Sequence, residues 1–195
     1  DSPLEYELDA LREGNPMRLG ARALKCMELD GEARAKGVSL FEGLSVPRSY
    51  ATLTVSATPS QVYNLHQRGF RVGKIKVIPK LAATVERLVN LAAMVPDWKW
   101  RVDFNCTLSQ DEALQFWDML PEAMRQRIDF VEDPCYYDVD VWQSLQDAGM
   151  PLAYDMPVQN ESIIPARTTK PMMRIVKPAR HQSTTGLPVF TTYMD

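Results

Sequence analysis

A (β/α) barrel is the fold class this sequence predicts, on three observations. From about residue 51 onward, short β-rich runs alternate with helical runs, which implies parallel strands joined by right-handed crossovers. No glycine-rich phosphate turn follows the first strand, as an open doubly wound sheet usually requires. Ionisable residues stand at the C-terminal ends of the β-rich runs, the ends a barrel gathers at one mouth.

The elements follow in order. Residues 1–50 read as an N-terminal helical segment, mostly one helix from about Pro16 to Lys36, with Leu19, Ala23, Cys26, Met27 and Ala33 as its buried face. Residues 51–195 read as the barrel domain. Ala51–Val55 is its first strand, and a helix runs from Pro59-Ser60 to Gly69. Val72–Ile78 is the second strand. Leu81–Met94 then places Leu81, Val85, Leu88, Val89 and Ala92 at helical spacing. Trp98–Asn105 is a strand. Ser109, with Glu112 three residues on, opens a helix to about Leu120 through a capping box. Ile128–Asp133 is a strand, Val139–Asp147 a helix closed by Gly149, and Pro151–Asp155 a strand. Met173–Lys177 and Leu187–Tyr193 complete the series. The stretch between these last two is too short for a crossover helix of roughly ten or more residues. An omitted segment between about Ala179 and Gly186 is therefore expected, and the barrel reads as incomplete, since such barrels typically need about 250 residues.

Composition excludes several classes. With 45% hydrophobic residues the chain can bury a real core. A net charge of −3 offers no basic stripe for phosphates, so no nucleic-acid partner is expected. No apolar run approaches the roughly 18 residues of a membrane span, so no membrane partner is expected either. The opening Asp-Ser-Pro-Leu-Glu-Tyr-Glu lacks a basic region followed by an apolar one, the pattern of a signal peptide. Cys26, Cys106 and Cys135 lie far apart without metal-ligand spacing and read as reduced thiols of a cytoplasmic protein. His66 and His181 are too few for a multi-histidine zinc site. His66, in an amphipathic stretch, is expected at the surface.

Lys74 and Lys76 stand two apart in Gly-Lys-Ile-Lys-Val-Ile and share one face of a strand; Ile75 and Val77 take the other. Asp103 and Asn105 do the same in Arg-Val-Asp-Phe-Asn. Glu132, Asp155 and Lys177 close three later strands. The steps are 27 residues from Lys76 to Asp103, 29 to Glu132, 23 to Asp155 and 22 to Lys177, each about one strand-plus-helix unit. A single charge at a strand end is ordinary solvated chemistry. Five on successive strands are not, because an unneeded buried charge is costly.

Three carboxylates converging on one point repel unless a cation joins them, and oxygen-only ligands favour Mg²⁺, with Mn²⁺ as a substitute. Such an ion can hold a substrate carboxylate and stabilise its enediolate, which is what removing the adjacent proton demands. The base must be neutral, although a free lysine titrates near about 10.4. Lys74 and the metal would lower that value for Lys76. Lys177, on the opposite side, would act as a second acid/base or as a cation. The partner so implied is a small-molecule carboxylate.

Lys-Ile-Lys at 74–76, Asp-Phe-Asn at 103–105, Val-Glu-Asp-Pro at 131–134, Tyr-Asp at 154–155 and Val-Lys-Pro at 176–178 resemble the signature of the enolase superfamily, in its muconate-lactonizing subgroup. Glu-Asp-Pro-Cys at 132–135 and Pro-Asp-x-x-x-Arg-x-Asp-x-Asn at 96–105 are most similar to bacterial o-succinylbenzoate synthases. The resemblance covers about residues 16 to 195. It implies a modified TIM-type (β/α)₇β barrel, of which most of the α+β capping domain, the last strand and one helix are missing here. It also implies Asp103, Glu132 and Asp155 as Mg²⁺ ligands, Lys76 as general base, Lys74 as its partner and Lys177 as the opposing cation. Asn105, Thr191 and Thr192 are the expected substrate contacts. The implied reaction is a syn dehydration of 2-succinyl-6-hydroxy-2,4-cyclohexadiene-1-carboxylate, serving menaquinone synthesis. Met156 departs from the glutamate that members often carry after the third ligand.

Three other readings compete. An N-acylamino acid racemase or dipeptide epimerase would use the same metal and both lysines. A catalytically inactive barrel would act as a binding protein, and a Schiff-base aldolase on Lys177 would leave the carboxylates unexplained.

Overall fold

In the computed structural model, which describes residues 4–15, 18–45, 49–54, 56–155, 173–176 and 189–191, the chain divides into two units, one built mainly on Asp1–Pro47, with Val176–Thr185 and Thr191–Asp195, and one on Arg48–Ile175 and Gly186–Phe190. The first holds two helices rather than one, α1 (Leu4–Arg12) and α2 (Arg18–Ala35). Gly37, at φ +67°, ends α2 in a Schellman pattern: Val38 N donates to Ala33 O at 3.0 Å and Gly37 N to Arg34 O at 3.0 Å. The expected buried face is corrected by the structure. Ala23 and Cys26 are exposed, Met27 is 64% exposed, and only Ala33 of the described positions is buried. The helix relies on local ion pairs, Lys25 with Glu28 at 3.2 Å and Arg34 with Asp30 at 2.7 Å, each contributing about 0.3–0.5 kcal/mol.

The second unit is built from parallel strands and covering helices. The strands are β1 (Ala51–Leu53), β2 (Val72–Lys76), β3 (Lys99–Asp103), β4 (Ile128–Glu132), β5 (Leu152–Tyr154), β6 (Met173–Val176) and β7 (Val189–Thr191), in that order across the sheet. Neighbours from β1 to β6 pair in parallel. Among the described residues five helices connect β1 to β5: α3 (Pro59–Gln67), α4 (Leu81–Ala93), α5 (Gln110–Met119), α6 (Glu122–Arg125) and α7 (Val139–Asp147). Sequential parallel order with helical crossovers is the wall of a (β/α) barrel.

Local chemistry sets the helix boundaries. Both α3 and α5 open on capping boxes, Thr58 with Gln61 and Ser109 with Glu112. Asp138 caps α7, accepting from the backbone N–H groups of Asp140 and Val141 at 3.0 and 3.1 Å. Gly69 and Gly149, at φ +96° and +89°, follow α3 and α7. On α4 the buried residues are Thr84, Val85, Leu88, Leu91 and Ala92, whereas Val89, expected inside, is exposed.

Period-two alternation divides the core. One face of the sheet (Ile75, Trp100, Val102, Phe104, Val131, Leu152 and Tyr154) packs with helix residues such as Leu88, Phe116, Trp142 and Leu145 in one large cluster. Phe130, Ala153 and Ile175, with Met173 against them, form a separate small cluster, as expected for the opposite face of β4 to β6. Gly73 is needed for the larger cluster, because a Cβ there would meet Trp98 Cζ3 at 3.0 Å and Trp100 Cζ3 at 3.2 Å. His66, expected at the surface, is half-buried instead. The Trp98 indole N–H donates to its Nδ1 at 3.2 Å, so the ring serves as a structural acceptor. Asp97 Oδ1 lies 3.5 Å from the same nitrogen, and its Oδ2 pairs with Arg71 Nε at 2.9 Å.

Candidate active site

The site is positioned by strand register. Lys76 is the Cα partner of Asp103, Asp103 of Glu132, and Glu132 of Ala153. Ladder bonds continue one residue past each strand: Val77 N to Asp103 O at 3.1 Å, Phe104 N to Glu132 O at 3.1 Å and Asp133 N to Ala153 O at 3.0 Å. Lys76, Asp103 and Glu132 are therefore level on adjacent strands, and Asp155 lies two residues beyond Ala153.

Lys74, one side-chain period below Lys76, reaches up between the carboxylates. Its Nζ lies 2.7 Å from Glu132 Oε1 and 3.0 Å from Asp103 Oδ2, with all three residues buried. Burial works against the ammonium charge, but Glu132 and Asp103 outweigh it and hold the Lys74 pKa above its ordinary value. The Glu132 pKa moves up as well. Burial, the charge of Asp103 and, more weakly, that of Asp155 push its pKa up to about 7 against the pull of Lys74. Its second oxygen, Oε2, is buried without a hydrogen-bond partner. One ammonium thus faces two buried carboxylates, with a third acting on them from nearby.

The sequence expectation makes Lys74 the partner of Lys76. Lys74 is engaged by two carboxylates, so its charge is already compensated. Lys76 is exposed at the strand end, which separates the two lysines into a buried ion-pair partner and an accessible amine.

Of the other expected site residues, Asn105 is exposed after β3 in the left-handed region, φ +50°, and its N–H donates to Asp103 Oδ1 at 3.1 Å. The backbone N–H of Asp155 donates to Asp133 Oδ1 at 3.0 Å. Thr191 lies in β7. Lys177, Thr192, Met156 and the expected omission between Ala179 and Gly186 fall outside the described residues. Cys106 and Cys135 are free and buried. Burial, with Asp133, Cys135 and Asp103 adding to it, pushes the Cys106 thiol up to about 12, so it is a protonated filler and not a nucleophile. A cavity of about 520 Å³ lies on the helix-covered side of β2, lined among others by Ile75, Val77, Thr84, Arg87 and Leu91; it holds none of the predicted site residues.

Among the described residues, no three His, Cys, Asp or Glu side chains are gathered closely enough to hold a metal ion. The donor set nonetheless fits a hard cation. It is oxygen-only, it carries excess negative charge, and one of its buried oxygens has no partner. Asp133 has no role among the sequence expectations. Its signal was an aspartate between a predicted ligand and a proline, because Asp tolerates the left-handed backbone better than most residues.

Comparisons with known proteins follow this geometry. The sequence profile of the enolase C-terminal domain-like family matches residues 58–179. The o-succinylbenzoate synthase of Yersinia pestis (strain Pestoides F) is 34% identical over 92 residues, which covers 47% of this chain and 28% of that protein. A mandelate racemase/muconate lactonizing enzyme from Bordetella bronchiseptica RB50 superposes with a TM-score of 0.65 at 20% identity, covering 96% of this chain and 58% of that one. An L-Ala-D/L-Glu epimerase gives a TM-score of 0.52 at 23% identity, covering 79% of this chain and 49% of the other. No helix among the described residues is long and apolar enough to cross a membrane.

Proposed function

Because the chain belongs to the enolase C-terminal domain-like family, we propose that it takes part in a Mg²⁺-dependent syn dehydration like that of o-succinylbenzoate synthase. Its substrate would be 2-succinyl-6-hydroxy-2,4-cyclohexadiene-1-carboxylate, and its setting the menaquinone route. The single observation that carries the reading is the mouth cluster: Asp103 and Glu132 on one buried ammonium, a partnerless Glu132 oxygen, and exposed Lys76 level with them.

Asp103, Glu132 and Asp155 would hold the ion. When bound, Mg²⁺ supplies positive charge to the substrate carboxylate as the adjacent proton leaves. Lys76 accepts that proton. It then delivers it to the hydroxide departing from the same face, so that water leaves and the ring becomes aromatic. Lys74 holds two ligand carboxylates in place. Lys177 contributes a facing positive charge.

The test is formation of o-succinylbenzoate, assayed beside racemisation of an N-acylamino acid and epimerisation of a dipeptide. Product from the cyclohexadiene substrate, abolished by a chelator and restored by Mg²⁺, supports the reading. Turnover of the acylamino acid or dipeptide alone would replace the dehydratase with a racemase or epimerase. No turnover of any substrate would favour an inactive barrel that binds.

A further inference from the structure

We infer that Asp133 is a positioning residue that sets Asp155 at the mouth, an inference resting on the proposal above that Asp155 is a metal ligand. Asp133 follows Glu132 and is buried, with φ +43°, a left-handed backbone that non-glycine residues rarely adopt. Its polar groups tie together the strand ends that carry the three carboxylates. The backbone N–H donates to Ala153 O on β5 at 3.0 Å, and the carbonyl accepts from Cys106 N beyond β3 at 2.7 Å. The side chain accepts from Asp155 N at 3.0 Å.

The last bond matters because the register between β4 and β5 is short. Four register pairs join β3 to β4 (from Trp100↔Ile128 to Asp103↔Glu132), but only Val131↔Leu152 and Glu132↔Ala153 join β4 to β5. The ladder stops before Asp155. A buried carboxylate accepting the Asp155 N–H replaces the missing rung with a charge-assisted hydrogen bond. The strained backbone at residue 133 is what lets one side chain turn across to the neighbouring strand.

Two substitutions separate the acceptor from the backbone. Asp133→Asn keeps an oxygen acceptor and tolerates positive φ; Asp133→Gly keeps the backbone and removes the acceptor. Mn²⁺ affinity is measured on the full 195-residue chain from the electron paramagnetic resonance of free Mn²⁺, with and without Asp155→Asn. Asp133→Gly is expected to weaken Mn²⁺ binding by about 10–100-fold, as loss of a residue supporting a ligand does. Asp133→Asn should stay within about threefold of the unsubstituted chain. In the Asp155→Asn background the glycine effect should disappear, since a residue acting through Asp155 has nothing left to position. A glycine chain that fails to fold by circular dichroism would also overturn the inference, since Asp133 would then hold the fold and not position Asp155 alone. Unchanged affinity in Asp133→Gly, equal loss in the Asn and Gly chains, or a loss that persists beside Asp155→Asn would overturn the inference and leave the metal reading standing. No Mn²⁺ binding by the unsubstituted chain, or full binding by Asp155→Asn alone, would overturn both.

Discussion

Two ion pairs lie on the same strands of this sheet, and they solve opposite problems. Lower on β3, Arg101 meets Asp129 at 2.7 Å, where a register shift between Trp100 and Arg101 brings β4 across. The rings of Tyr50 and Phe130 cover its guanidinium at 5.0 and 4.9 Å. Asp129 keeps a 29% exposed side chain, so its charge is partly solvated. At the mouth, Lys74 divides itself between Asp103 and Glu132, and Glu132 is almost wholly buried with one oxygen unpartnered. The lower pair joins one guanidinium to one carboxylate that water still reaches. The upper cluster carries more negative charge than its lysine neutralises, an arrangement that disfavours the metal-free fold and suits a cation. Charge imbalance, more than the number of charges, sets the proposed metal site apart from the lower ion pair.

The largest expected effect lies on the functional side. Lys76→Arg should lower o-succinylbenzoate formation by about 10²–10⁴-fold, because a guanidinium cannot act as the base. Its thermal midpoint should barely move, since Lys76 is exposed. Lys177→Arg should retain more activity, because the role proposed for it is mainly charge. Comparable loss in both variants, with solvent-deuterium exchange into one enantiomer surviving in each, would point to racemisation.

On the structural side, Asp129→Asn removes the charged partner of a buried guanidinium and should cost about 1–3 kcal/mol in denaturant unfolding. Mg²⁺ affinity should be unchanged. A large change in affinity would erase the distinction between the two regions.

A third effect uses pH. The folded pKa of Glu132 is raised from 4.5 to about 7, so its stabilising contribution is fully present below about pH 4.5 and lost as pH rises through 7. The thermal midpoint of the metal-free chain should fall over that window. Glu132→Gln, or added Mg²⁺, should flatten the fall. A profile that rises through the same window would contradict the imbalance argument.

The smallest expected effect is a control at the cap of α5, which belongs to neither ion pair. Ser109→Ala removes the oxygen that accepts from Glu112 N at 3.2 Å and should cost about 1 kcal/mol of stability. Metal affinity and turnover should stay the same.

What could be read from the chain depended on range. The Ser109–Glu112 box was readable because both partners lie within one helical turn. Lys74 and Lys76, and likewise Asp103 and Asn105, could each be assigned to one face of their strand because strand side chains alternate with period two. The buried face of α2 could not. Ala23, Cys26 and Met27 have the spacing, but burial depends on a packing partner that periodicity does not reveal. The same limit misplaced Val89 and hid Leu91 on α4. The bond from Lys74 to Glu132 joins residues 58 apart and depends on register and rotamer together. The bond from Asp155 N to Asp133 needs a positive φ that no spacing rule announces.

Crystals grown with Mn²⁺ and measured at its absorption edge would test the central claim most directly. The account predicts one anomalous peak at the sheet mouth, about 2.1 Å from oxygens of Asp103, Glu132 and Asp155, with Glu132 Oε2 among the ligands and the Lys74 ammonium drawn away from at least one carboxylate. A map with no peak there, and Lys74 still bonded to both Asp103 and Glu132, would contradict it.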